Sequence, residues 1–184
     1  MQVNLIKQWT SRMDHVTQAV SQACGTCDPA ALQVRPGSGQ WSAAEVLEHI
    51  MTLNTSYFPL FDKILAGTFR PPLVGRLPLL PRWFGRMILR SVKPDTTRKS
   101  KTLSIWQPVD ARRHFAGATE FLKHQEMLKD YFLGLTPMLD GNVVIHSPAG
   151  KGIVYPLKDA LEILVTHEER HLLQFYRALE TAMA

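Results

Sequence analysis

Residues 167–171 read His-Glu-Glu-Arg-His. On a helix, residues four apart lie one turn apart on the same face. Two imidazoles so placed can hold one divalent ion from one side. At about 100° per residue, His171 falls inside the apolar stripe of its segment and His167 at the stripe's edge, so both point inward. Buried histidines need partners, and a metal is one way to provide them. The string also matches H-E-x-x-H, the zinc-peptidase motif, but that reading fails on the third ligand. One zincin class places its next histidine six residues on, where this chain has Arg177. The other takes a glutamate from a later helix, and Ala184 is the last residue here.

The third ligand is therefore expected upstream. His49 is the first choice, because it lies beside Val46, Ile50 and Leu53 on an inward helix face. His114 is the second, near the start of a later apolar face. His146 falls in a loop that could close over a site, while His15 and His124 read as surface residues. Three neutral histidines leave a fourth position open on zinc or nickel, the arrangement of a catalytic site. That position can take water or the sulfur of a thiol, and the metal would make a nucleophile of either at neutral pH. Glu168, near the middle of the same stripe, is the candidate catalytic residue, as a base or as a hydrogen-bonding partner to a ligand. A salt bridge to an arginine is the alternative. Gln174 shares the histidine face and could bond a ligand or an imidazole.

Four long segments must position these residues. The first spans about Val3 to Ala23, with Leu5, Trp9, Met13, Val16 and Val20 on one face and with Gly25 and Pro29 ending it. The second starts at Ser42, whose Glu45 three residues on makes a capping box, with Trp41 and Val46 as the hydrophobic staple. Its stripe runs Val46, Ile50, Leu53, Tyr57, Leu60 and Ile64, and Pro59 should kink or end it before Gly67. The third covers about Asp110 to Leu133. The fourth runs from near Pro156 to about Thr181, with Leu157, Leu161, Leu164, Leu172, Phe175 and Leu179 facing inward. Residues 134–155 read as loop, apart from a short strand at Val143–Ile145. The pattern predicts an all-α four-helix bundle in one domain, residues 1–184, with a long crossover connection between helices two and three.

That connection, a basic proline-rich insert at about 68–108, carries most of the chain's charge. Nine basic residues between Arg70 and Lys101 face only Asp95, giving +8, so the rest of the chain carries −3 against a net +5. Within it Arg82, Arg86 and Arg90 recur at steps of four on an expected short helix, Arg82 to Val92. The expected role is a connector that packs its apolar residues on the bundle and solvates its arginines. A surface for anionic lipid and a lid lined by Trp83 or Trp106 are the alternatives. No recognition motif accompanies the charge, so nucleic acid is not expected as a partner. Apolar residues make up 45% of the chain, enough for a core, and no run is long enough to span a membrane. Lys7, Arg12 and Asp14 interrupt any signal-peptide core, and a cytoplasmic location is expected. The C-x-x-C of Cys24 and Cys27 follows a helix, where the dipole opposes thiolate formation, so it reads as a helix end.

Two blocks resemble the DinB-like proteins, which include the YfiT-type candidate metal enzymes. Trp41-Ser42-Ala43-Ala44-Glu45-Val46-Leu47-Glu48-His49-Ile50 is similar to the family's W-S-x-x-E-x-x-x-H helix. Thr166-His167-Glu168-Glu169-Arg170-His171-Leu172-Leu173-Gln174 is similar to its H-x-x-R-H-x-x-Q helix. The resemblance implies a four-helix bundle with a long crossover and metal ligands at His49, His167 and His171. It also implies a small-molecule substrate, with transfer of low-molecular-weight thiols and thiol-dependent isomerisation among the family's activities. The basic insert departs from that pattern. The expected function is thus a metal-dependent thiol transferase or small-molecule hydrolase using zinc or nickel. The alternative is a non-catalytic stress-response or binding protein with a structural or vestigial metal. A homodimer is left open.

Overall fold

The computed structural model describes residues 2–77, 79–96, 101–108 and 118–184. Six helices and one β-hairpin follow in the order α1 (Gln2–Thr26), α2 (Ala43–Thr55), α3 (Phe58–Leu65), α4 (Leu80–Val92), α5 (Ala118–Leu135), β1 (Val144–Ser147), β2 (Gly150–Pro156) and α6 (Leu157–Met183). The chain is mostly helical. His114 and the expected start of the third helix lie outside the described residues.

Apolar residues at steps of three and four bury one face of α1, where Ile6, Trp9, Met13, Val16 and Val20 are buried and Leu5, expected in the stripe, is half-buried beside Ile6. The helix runs through Gly25 to Thr26, one turn further than the glycine suggested. Cys24 therefore sits inside the last turn, and burial pushes its thiol up to about 11 with Cys27 adding to the shift. A thiol so raised is not an activated nucleophile.

The capping box at α2 is complete. Ser42 Oγ accepts from the Glu45 amide at 3.2 Å, and the Ser42 amide donates to Glu45 Oε2 at 2.8 Å. Arg35 closes a two-bond ion pair on the same carboxylate. The stripe read over 42–67 is carried by two helices, α2 and α3, parted at Ser56–Tyr57, so the chain ends one helix and starts another where Pro59 was expected to kink or end it. Pro59 is the reason: without an N–H it cannot continue a ladder, but it fits the first turn of a new helix, where the structure places it.

The loop expected over 134–155 holds a small antiparallel hairpin, an addition to an otherwise helical fold. The expected strand at Val143–Ile145 is β1, shifted by one to two residues, and β2 pairs with it through Ile145↔Tyr155 and His146↔Val154. Alternation is confined to Ile145 and Ser147 in β1, while β2 buries Val154 and Tyr155 in succession, too short a pattern to separate strand from loop. The Leu157 amide donates to the Val143 carbonyl at 2.8 Å, so the hairpin feeds directly into α6.

Helices α1, α2, α5 and α6 pack on one another, with α3 against α5. Their apolar side chains form two clusters. One gathers Trp9, Met13, Leu53, Phe61, Phe132 and Leu161 among others. The other gathers Val16, Ile50, Phe121, Leu172 and Phe175 among others. On α5 the step from one cluster to the other falls at His124–Gln125, and on α6 at Thr166–His171. A layer of buried polar residues thus crosses the core between two apolar ones. Burying such groups is unfavourable unless they find partners, so the layer is where function is sought.

Candidate metal centre

Helices α2 and α6 pack side by side and bring three histidines together. His49, His167 and His171 are all buried, and one nitrogen from each lies within 4.8 Å of the others. The His49 and His167 Nε2 atoms are 3.3 Å apart. His49 is oriented by its other nitrogen, Nδ1, which donates to the Trp106 carbonyl at 2.6 Å. His171 Nδ1 donates to Gln174 Oε1 at 2.9 Å. Both contacts fix the tautomer with the proton on Nδ1 and leave Nε2 as the atom available to a ligand. Trp41 lies over the cluster, its ring 4.8 Å from that of His49 and 6.5 Å from that of His171.

All three rings are held neutral. Burial pushes His49 down, partly offset by the Trp106 carbonyl. It drives His167 far below the usual histidine range, helped by His171, His49 and Arg170. His171 falls to about 3, through burial first and His49 next. Neutral imidazoles present lone pairs, the form a metal requires.

The residues fit a divalent ion on two further observations. Two nitrogens bound tetrahedrally at about 2.0–2.1 Å from zinc are about 3.3 Å apart, the spacing of the His49 and His167 Nε2 atoms. In addition His167 Nδ1 is buried without a hydrogen-bond partner among the described residues. The Nε2 of the same ring faces the lone pair of His49 Nε2 at 3.3 Å, with His171 in the same cluster, and a cation there would be bound by these nitrogens.

Glu168 turns to the rest of the polar layer. Its Oε1 accepts from Asn54 Nδ2 at 2.7 Å and from Gln125 Nε2 at 2.9 Å. Asn54 Nδ2 also lies 3.3 Å from His124 Nε2. Burial raises the carboxyl to about 7, outweighing the two amide donors. The salt bridge weighed for Glu168 belongs to its neighbour: Glu169 pairs with Arg12 through two bonds, of 2.7 and 2.8 Å. His124, read as a surface residue, is buried against Phe58 and pushed down to about 4. His15 is exposed as expected. His146 sits in β1 with Nδ1 on the Ser147 carbonyl and does not join the cluster.

Three contributors had different visibility in the sequence. Gln125 is spaced four from Phe121 and three from Leu128, a polar residue inside an apolar stripe, and Asn54 stands in the same relation to Ile50. Both were open to detection. Trp106 acts through a backbone carbonyl, for which residue type carries no signal. Its indole donates to Ser56 Oγ at 3.0 Å, which ties the end of the crossover to the break between α2 and α3.

A helical protein with three buried histidines converging from two helices is the class defined by this geometry, and it is compatible with metal binding. The chain belongs to the DinB superfamily, whose family model matches residues 12–175. No curated protein and no solved structure matches it.

Proposed function

We propose that the chain holds one divalent metal ion on His49, His167 and His171 and works as a metal-dependent enzyme on a small molecule, a low-molecular-weight thiol transferase or a hydrolase. The observation that carries this reading is the convergence of three neutral imidazoles, two of them with the tautomer fixed, in a cluster joined by no fourth His, Cys, Asp or Glu among the described residues. A structural site is closed by four protein ligands, and three leave a position for substrate. Zinc and nickel both suit an all-imidazole set. Bound there, the ion would lower the pKa of water or a thiol and so supply a nucleophile at neutral pH.

The protein's own residues do the remaining work. Trp106 and Gln174 hold two ligand rings in place, and Trp41 covers them from one side. Glu168, kept near neutrality by burial, is positioned to hold or release a proton close to physiological pH. Its amide partners stabilise the charged form once the proton leaves. We read the scaffold as one domain, residues 1–184, built as a four-helix bundle in which α2 and α3 share one arm and the crossover carries α4. A location in the cytoplasm agrees with the two free thiols.

Elemental analysis of the purified chain, then a thiol-conjugation assay with and without chelator, tests the reading. One zinc or nickel per chain is expected, with loss of the metal in His167→Ala or His171→Ala and weakened binding in His49→Ala. A wild type that takes up no divalent metal near neutral pH would exclude the site. Retained metal with no turnover of thiol or ester substrates would favour a non-catalytic binding protein instead.

A further inference from the structure

Helix α4 is fixed on one side and open on the other. Its inward arc carries Pro81 and Gly85, both buried, with Phe84 and Ile88 packed on the apolar cluster below. Gly85 is there because α4 crosses the first turn of α6 closely: a Cβ at this position would lie 2.1 Å from Asp159 Oδ2. The far end is pinned by Arg170, whose Nη1 donates to the Ser91 carbonyl at 2.7 Å. A helix held at both ends cannot roll its other face into the core.

That other face mixes two chemistries. Arg82, Arg86 and Arg90 follow one another at one-turn intervals. Trp83 and Met87 stand between them and Leu79 just before the helix, exposed by 57%, 43% and 77%. These six line one open groove. The connector expectation holds for Phe84 and Ile88 but not for these apolar residues, which the fold leaves in water. Leu73, Val74 and Leu77 before α4, and Leu103 and Ile105 after it, are exposed as well. Of the fifteen large apolar residues exposed among the described ones, eight lie between Leu73 and Ile105, so the concentration is local.

The interface of an anionic bilayer satisfies both chemistries at once. Apolar and indole side chains enter the headgroup–acyl boundary, while arginines reach back to phosphates. A nucleic-acid backbone would pair the arginines and leave Leu79 and Met87 in water. The acids near the row are Asp159, beside Arg82 and Arg86, and Asp95 beyond the helix, and they do not balance the nine basic residues of the segment. With −3 on the remainder of the chain, a negative surface attracts this side and repels the rest, which fixes orientation.

We propose that the outward arc of α4 docks the protein peripherally on anionic phospholipid membranes. No helix among the described residues is long and apolar enough to cross one, so the association is a surface one, and it is independent of the metal reading.

The test is sedimentation of the full chain with vesicles of phosphatidylcholine alone or mixed with phosphatidylglycerol, over a salt series. Binding is expected on the mixed vesicles, absent on phosphatidylcholine, and weakened as salt shortens the Debye length. Changing Arg82, Arg86 and Arg90 together to Gln should reduce it on the order of 100-fold. Trp83→Ser should reduce it on the order of tenfold by removing the inserted ring. Circular dichroism identifies a variant that fails to fold, and Trp83→Ser with the salt series then decides alone. Failure to bind the mixed vesicles, or equal binding to both kinds, would overturn the proposal. So would unchanged vesicle binding by Trp83→Ser, or tighter binding to a DNA duplex than to vesicles, since either result describes a plain polyanion patch.

Discussion

A carboxyl at position 168 makes the fold sensitive to pH in a way that its amide isostere would not. Burial raises Glu168 from an ordinary 4.5 to about 7. Between those values the native chain keeps a proton that the unfolded chain has released, so this group's contribution to stability is complete below pH 4.5 and is lost as pH rises through 7. The loss amounts to about 3 kcal/mol. His124 has the opposite sign: pushed down to about 4, it makes the native state less stable as pH falls from 6.5 toward 4. His49, His167 and His171, also pushed down by burial, act in the same direction as His124 in the metal-free chain, so the wild-type profile mixes several slopes and the difference between variants is the informative quantity. Glu168→Gln removes only the first. In chelator-treated protein, the stability of Glu168→Gln relative to wild type should therefore rise by about 3 kcal/mol between pH 4.5 and 7. Urea denaturation at several pH values measures it. A gap that stays constant over this range would mean that the carboxyl is not held protonated by the fold.

Among the elements, α2 depends most on a single side chain. Ser42 satisfies the Glu45 amide, and Glu45 answers through the Ser42 amide and Arg35. Ser42→Ala strands the Glu45 amide in a buried setting and should lower stability by ~1 kcal/mol, seen as a lower denaturation midpoint with an unchanged slope. His49 lies two turns further on, so metal stoichiometry should survive. The box was legible in the sequence because a cap is a local device written in residues three apart. The histidine pair on α6 was legible for the same reason, since a four-residue spacing sets a shared face. The break between α2 and α3 was half legible: Pro59 announced it, but local residue types do not decide whether the chain kinks or restarts, and Tyr57 at the break is held by a contact distant in sequence, its hydroxyl meeting that of Tyr155 at 2.6 Å. The hairpin was largely hidden, because its pairing joins residues about ten apart through backbone bonds. Burial of His124 was hidden too, since it depends on where Phe58 of a separate helix comes to rest.

At the scale of the molecule, the polar layer divides the core in two and should be its weakest section. The apolar clusters on either side gain from burial, whereas the layer holds Asn54 Oδ1, Gln125 Oε1, Glu168 Oε2 and His167 Nδ1 without hydrogen-bond partners among the described residues. Each orphaned buried atom of this kind costs about 1–3 kcal/mol. The proposed ion would act there, joining α2 to α6 across the layer. A ligand that binds only the native state stabilises it by mass action, by about 2.7 kcal/mol at a hundredfold excess over its Kd. For a chain of 184 residues this corresponds to a rise in Tm of about 5–10 °C. Calorimetry of the chelated protein, before and after addition of zinc or nickel, should show that rise. His167→Ala should melt at the same temperature with and without metal. Trp83→Ser, on the outer face of α4, should keep the full shift, since it leaves the layer untouched. If the wild type binds metal without a change in Tm, the ion does not bridge α2 and α6, and a ligand set confined to one helix would have to replace the one proposed.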